Sequence, residues 1–493
     1  MSRRIWSLVA VIATLSTSFT ATHAAQPWTL ANYQSQTLHW STCQNTFECT
    51  SFKVPVDYSH LDGNSFTLQV IKHLANKPAK RLGSLIMNPG GPGGSAIDYV
   101  LSADSIVSKS IEDVYDLVGF DPRGVNLSQP IRCLTDSQED TYLGGNGSVQ
   151  TPADLAIGIS AAKLMANACA KAAGNKLAHY STLDTARDME ILRILLRDSK
   201  LNYIGKSYGT FLGTLYAALY PKTIGRVVLD GAVDPNLSPR DANIAQAVGF
   251  ETALKSFVAA NPTFSIAQIK SFLQSARSKP LTEYPNRQLS ESLAITGIAA
   301  ALYEPTDGWP LLKKALANAI NHGNPAYFFF LADSYNQRDP NGHYVSNQTD
   351  ISEVIGCLDS KDPRTLAQVE GDAAAFSAAA PFFGPYLTYG GLSCLYWKAK
   401  PVTTPTLKNL KTNPLLVIGT TRDPATPYRW AQALHQDLLN STLITLNGDG
   451  HTGANRGSSC VDKAMNNYLL TGKSPAHDIT CDTDAALAHS VTA

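Results

Sequence analysis

What this 493-residue chain lacks first is any imbalance of charge: Lys and Arg number 40, Asp and Glu 40, and charged residues make up only 16%. A balanced surface exerts no general pull on polyanions, which argues against nucleic-acid binding and against adsorption to an anionic membrane. No two cysteines stand in a C-x-x-C pair, so a zinc site or a thioredoxin-like redox centre is not expected. Gly205-Lys206-Ser207 has the end of a phosphate-binding loop without its upstream glycine spacing. Internal repeats and long low-complexity tracts are absent, and beyond the N-terminus no apolar run reaches the roughly 20 residues of a membrane span.

The N-terminus reads as an export signal: Arg3 and Arg4, an apolar run over 5–15, and Thr22-His23-Ala24-Ala25 as a small-residue cleavage site. Residues 1–25 are therefore expected to be removed, leaving no membrane span and a secreted or periplasmic protein. All eight cysteines lie after that segment, an even number suited to disulfides in an oxidising compartment. Cys43 and Cys49 are close enough to close a small loop, and sequence neighbourhood pairs Cys133 with Cys169 and Cys357 with Cys394.

The chain is organised around residues 201–214. An apolar β-favouring run (Leu201, Tyr203, Ile204) enters Gly205-Lys206-Ser207-Tyr208-Gly209 and leaves as a helical stretch stopped by Pro221. That order of strand, sharp turn and helix is the nucleophile elbow, where flanking glycines relieve collisions around a strained serine. Further strands are expected over 66–73, 82–87, 115–120, 226–230, 415–419 and 441–446, with helices over 153–173, 181–197, 428–438 and 461–470. Between 235 and 401 the alternation stops. Helical pieces over 242–259, 266–277, 289–303, 311–319 and 365–379 dominate there, interrupted by aromatic clusters such as 327–330, as in an inserted domain.

A serine hydroxyl needs a base within reach and a third group to orient that base. On an elbow of this kind the order along the chain is Ser, acid, His. Asp423 follows the strand at 415–419 and His451 the strand at 441–446, so Ser207, Asp423 and His451 form the expected triad. Asp449 is a neighbouring competitor, and Asp423 alone could simply cap a helix. Two backbone donors must face the developing oxyanion: Tyr208, after the nucleophile, and Gly90 or Gly91 in the loop Asn88-Pro89-Gly90-Gly91-Pro92-Gly93-Gly94-Ser95.

NPGGPGGS, GFDPRGVNLS, GKSYGT, LDG, the Gly-x-x-x-Asp-Pro-x-Thr-Pro segment and Gly-His-Thr with flanking cysteines together resemble the secreted tripeptidyl aminopeptidase-like branch of the α/β-hydrolase peptidases, relatives of prolyl aminopeptidase. The resemblance covers nearly the whole chain after the signal. It implies an α/β-hydrolase fold with a mostly parallel sheet, core segments 26–234 and 402–493, and a mainly helical cap over 235–401. It also implies a bond between Cys460 and Cys481, and cap carboxylates that capture a peptide's free amino group. Glu251, Glu353 and Asp359 are the candidates, Asp359 beside Cys357 in the motif-like VIGCLD. The expected activity is an exported serine aminopeptidase acting on peptides without metal or cofactor. A secreted esterase or amidase with the same triad is the alternative, and a non-catalytic binding protein is disfavoured because every catalytic position holds a competent residue. The cap departs from the family pattern at Phe257-Val258-Ala259-Ala260-Asn261-Pro262, where relatives often carry tryptophan and cysteine.

Overall fold

The computed structural model describes residues 28–283, 287–359 and 364–486; the expected signal segment lies outside them. The strands are β1 (Ser41–Cys43), β2 (Phe47–Pro55), β3 (Ser65–His73), β4 (Gly83–Asn88), β5 (Tyr115–Phe120), β6 (Leu201–Lys206), β7 (Ile224–Asp230), β8 (Leu281–Glu283), β9 (Arg287–Leu289), β10 (Leu415–Arg422), β11 (Ser441–Asp449) and β12 (Ile479–Asp482). Ten form one sheet in the order β1-β2-β3-β5-β4-β6-β7-β10-β11-β12. From β5 to β12 every neighbouring pair is parallel, whereas β1, β2 and β3 enter antiparallel.

Alternation along the central strands sends side chains into two separate cores, as a sheet covered on both faces requires. Tyr203, Leu229 and Val417 join the core beneath the helices Thr182–Leu195 and Tyr208–Leu219, while Ile204, Val228 and Ile418 face the helix Ser459–Thr471. A third core belongs to the helices between β7 and β10, built on Phe257, Leu293, Ile298, Leu316 and Phe328. Full burial of each such side chain is worth roughly 1.5–3 kcal/mol. The helix Gln348–Asp359 of the same region instead packs Ile351, Val354, Ile355 and Leu358 into the first core, so the region has a core of its own and is also seated on the sheet.

GFDPRG turns out to be structural. Arg123 is fully buried, with Nε and Nη2 donating to Asp188 at 2.8 and 2.6 Å and Nη1 to the carbonyl of His179 at 2.7 Å. Asp121 accepts from Ser95 Oγ (2.8 Å), Ile97 N (3.2 Å) and Leu127 N (3.1 Å), tying the end of β5 to the glycine-rich loop after β4. Four disulfides join Cys43 to Cys49, Cys133 to Cys169, Cys357 to Cys394 and Cys460 to Cys481. Among the described residues no helix is long and apolar enough to cross a membrane.

The structure corrects several expectations. The aromatic stretch at 327–330 does not interrupt the helices but lies within one, Ala326–Asn336, with Phe328 and Phe329 buried and Phe330 exposed. The stretch expected at 365–379 is two helices, Leu366–Gly371 and Ala373–Ala379. A further helix, Asp136–Leu143, lies where no element was expected. The strands β1, β2 and β12 and the β8-β9 hairpin also lay outside the expected elements.

Candidate active site

Ser207 sits between β6 and the helix Tyr208–Leu219 with φ 55° and ψ −127°. A non-glycine residue tolerates this left-handed conformation only where its surroundings over-determine it. The surroundings do so. Ser207 N donates to the carbonyl of Asp230 at 2.9 Å, and Thr210 Oγ1 donates to the carbonyl of Ser207 at 2.6 Å. A Cβ on Gly205 would lie 2.3 Å from the carbonyl oxygen of Gly209, and one on Gly209 would lie 2.8 Å from Asn88 Oδ1. Both glycines are therefore steric requirements of the turn.

Asp423 follows β10 directly and is buried. Its Oδ1 accepts from the amides of Ala425 (2.9 Å) and Thr426 (2.8 Å), and its Oδ2 from Thr426 Oγ1 (3.0 Å) and Thr452 N (3.0 Å). His451 Nδ1 lies 2.9 and 3.0 Å from the two carboxylate oxygens. An acceptor on that side places the ring proton on Nδ1 and leaves Nε2 with its lone pair, the tautomer a general base needs. The competitor Asp449 is occupied elsewhere, accepting from Arg422 Nε at 2.9 Å.

Asp230 and Gly231 join the serine and histidine halves. The Asp230 carbonyl takes the Ser207 amide, and a Cβ on Gly231 would come within 3.3 Å of His451 Cε1. The Asp230 carboxylate accepts from Gly453 N at 2.7 Å and Ala454 N at 3.0 Å, fixing the chain after the histidine. Lys206 Nζ stands 3.7 Å from that carboxylate and donates to the carbonyl of Ala454 at 3.2 Å. Burial holds Lys206 below the usual lysine range.

The glycine-rich loop packs against the elbow. A Cβ on Gly90, at φ 95°, would lie 2.5 Å from the carbonyl oxygen of Lys206 and 3.0 Å from Tyr208 N, so only glycine allows this approach. The Gly90 amide is already spent, donating to Asn88 Oδ1 at 3.0 Å. Between the two glycines the sequence left open, Gly91 is the one whose amide has no acceptor among the described residues.

A cavity of about 740 Å³ opens beside this loop, between Pro92, Tyr208 and Phe211 of the core and Glu353, Cys357 and Asp359 of the cap helix Gln348–Asp359. Thr182 N donates to Asp359 Oδ1 at 3.1 Å, and Thr182 Oγ1 bridges Asp359 Oδ2 and the Tyr208 hydroxyl. Burial pushes Asp359 up to about 7. Glu353, also raised by burial, accepts from the Tyr142 hydroxyl at 3.2 Å. Glu251 does not join them. Its Oε2 accepts the amides of Phe382 (3.0 Å) and Phe383 (3.2 Å), so this carboxylate anchors one part of the cap to another.

Several residues at the site had little or no signal in the sequence. Asn88, Asp230 and Thr426 lie inside motif segments whose individual side chains the sequence left without a role, and Thr182 lies at the start of a helix whose N-cap is Ser181.

A serine on a strained turn after a parallel strand, and a histidine paired with an acid at the ends of two further strands, define an α/β-hydrolase of the serine hydrolase class. The family follows from comparison with known proteins. The model described as alpha/beta hydrolase fold matches residues 83–283, and the one described as TAP-like protein matches residues 380–481. The serine protease Hip1 of Mycobacterium tuberculosis is 32% identical over 479 residues, covering 90% of this chain and 91% of that protein. Carboxylesterase B of the same species is 35% identical, covering 90% and 89%. The tripeptidyl aminopeptidase of Streptomyces lividans is 31% identical, covering 90% and 86%. The chain belongs to this TAP-like family of α/β-hydrolases.

Proposed function

We propose that the protein is an exported aminopeptidase that releases an N-terminal residue or short peptide through an acyl-enzyme on Ser207. The observation that carries the amino-terminal specificity is the pair Asp359 and Glu353 on the wall of the cavity beside Tyr208. Both carboxyls are raised by burial, the setting in which a bound ammonium gains most from pairing.

In this reading Ser207 Oγ attacks the scissile carbonyl carbon while its proton passes to His451 Nε2. Asp423 holds Nδ1–H and stabilises the imidazolium. The amides of Tyr208 and Gly91 receive the oxyanion. As the tetrahedral intermediate collapses, the C–N bond breaks and the imidazolium protonates the leaving amine. Water, deprotonated by the same histidine, then hydrolyses the ester and returns the proton to Ser207. Four disulfides support a working place in an oxidising compartment outside the cytoplasm.

The test compares hydrolysis of tripeptidyl and aminoacyl anilides bearing free or acetylated amino termini. A strong preference for the free amine is expected, and equal rates would overturn the aminopeptidase reading. The 35% identity to Carboxylesterase B favours, as the second reading, an esterase with the same triad. Hydrolysis of simple esters but of neither anilide form would decide for it.

A further inference from the structure

The histidine loop is held from two sides. From the core, Asp423 and Asp230 take its side chain and the amides of residues 452–454. The His451 amide itself is taken by the cap: it donates to the carbonyl of Tyr303 at 2.9 Å, just past the helix Glu291–Leu302. The Tyr303 ring also stands edge-to-face with the imidazole, centroids 5.1 Å apart and planes at 83°. Around this contact a Cβ on Gly450 would lie 2.6 Å from Pro305 Cδ, and Glu304 forms an ion pair with Arg456.

Tyr303 is itself fixed by the cap core. Its ring lies 5.8 Å from Phe250 and 6.0 Å from Tyr335, and Phe250 lies 5.2 Å from Phe383, whose amide Glu251 holds. A continuous line of rings thus runs from the cap interior to the imidazole. The loop needs such a brace, because Thr452 holds a φ of 70°, which a β-branched residue adopts only under constraint.

From this geometry we propose that Tyr303 is a positioning residue for the catalytic imidazole, so that the cap helps set the chemical step as well as substrate entry. The proposal rests on His451 being the base. During turnover the imidazole must keep Nδ1 on Asp423 while Nε2 serves first the serine and then the leaving amine. An edge-to-face neighbour limits its rotation to that range. Displacement of a catalytic group by about 1 Å costs on the order of 100-fold in rate.

The experiment uses the full chain with Tyr303→Leu, Tyr303→Met and Tyr303→Phe, each checked for a parental melting temperature. It measures kcat and KM on a free-amino tripeptidyl anilide and the rate of Ser207 labelling by a small fluorophosphonate, which needs the activated serine but not the cavity. For Leu and Met, kcat and labelling rate are expected to fall together by roughly 10- to 100-fold with KM within about 3-fold, and Phe to restore both. A labelling rate equal to the parent's in either folded variant, or a loss confined to KM, overturns the proposal. His451→Ala separates the two levels: undiminished labelling there would overturn the triad itself.

Discussion

In the core, the loops bearing Ser207, Asp423 and His451 leave the carboxyl ends of β6, β10 and β11, neighbours in a parallel sheet with only β7 between the first two. In the cap, Glu353 and Asp359 share one helix while Glu251 lies on another, and nothing in their sequence spacing says which of them face a common space. A parallel sheet converts chain order into spatial order, because every strand end on one side opens onto the same crevice. Helix packing makes no such conversion: each helix can be rotated about its axis to suit the volumes beside it. The lesson is that chemistry can be assigned from strand ends, whereas specificity has to be found in the packed cap.

The sharpest way to test that division is to break each side alone. Ser207→Ala removes the nucleophile, and kcat on every substrate, free or blocked, is expected to fall on the order of 10⁶-fold, read by steady-state anilide hydrolysis. Arg123→Met strikes the core's scaffold and leaves the buried Asp188 without its cation, with only the Tyr58 hydroxyl still donating to it. Breaking a buried pair in this way costs about 3–5 kcal/mol, to be measured as a lowered midpoint in urea unfolding. Asp359→Asn keeps the side chain's shape but removes the charge and one of the two oxygens that accept from Thr182. It should lower kcat/KM by about 10- to 100-fold for free-amino substrates and leave acetylated ones unchanged, since hydrogen bonds to charged groups are worth about 1.5–3 kcal/mol.

The smallest effect is a pH dependence confined to the cap. Burial sets Asp359 at about 7, so below that pH it is protonated and cannot pair with an ammonium. A peptide amine loses its charge above roughly 7.7–8.0. The ratio of kcat/KM for free over acetylated substrate should therefore peak between about 7 and 8 and decline on both sides. In Asp359→Asn the part of the acidic limb centred near pH 7 should be gone, leaving only what Glu353 contributes, and an unchanged limb would remove Asp359 from the role.

Legibility followed the same division. The strands at 66–73, 115–120 and 441–446 announce themselves by alternation or by apolar runs, and they stand as β3, β5 and β11 with ends within about three residues of the expectation. The helix Ala326–Asn336 was missed because Tyr327 to Phe330 has the composition of an interruption. Tertiary packing of Phe328 and Phe329 into the cap core overrides that local signal. Tyr303 carried no signal at all, since its partner stands 148 positions further along the chain.

By itself the sequence determined the catalytic chemistry. Gly-x-Ser-x-Gly between a strand and a helix leaves the backbone one way to turn, and an acid and a histidine after later strands must come to the same sheet edge. Tertiary structure alone decided the rest: that Gly91 and not Gly90 has an amide without an acceptor among the described residues, that Glu251 is a brace while Asp359 and Glu353 face a cavity, and that the cap touches the histidine. Those facts depend on which donors and carboxylates are already occupied. Occupancy is a property of neighbours that the chain order does not contain.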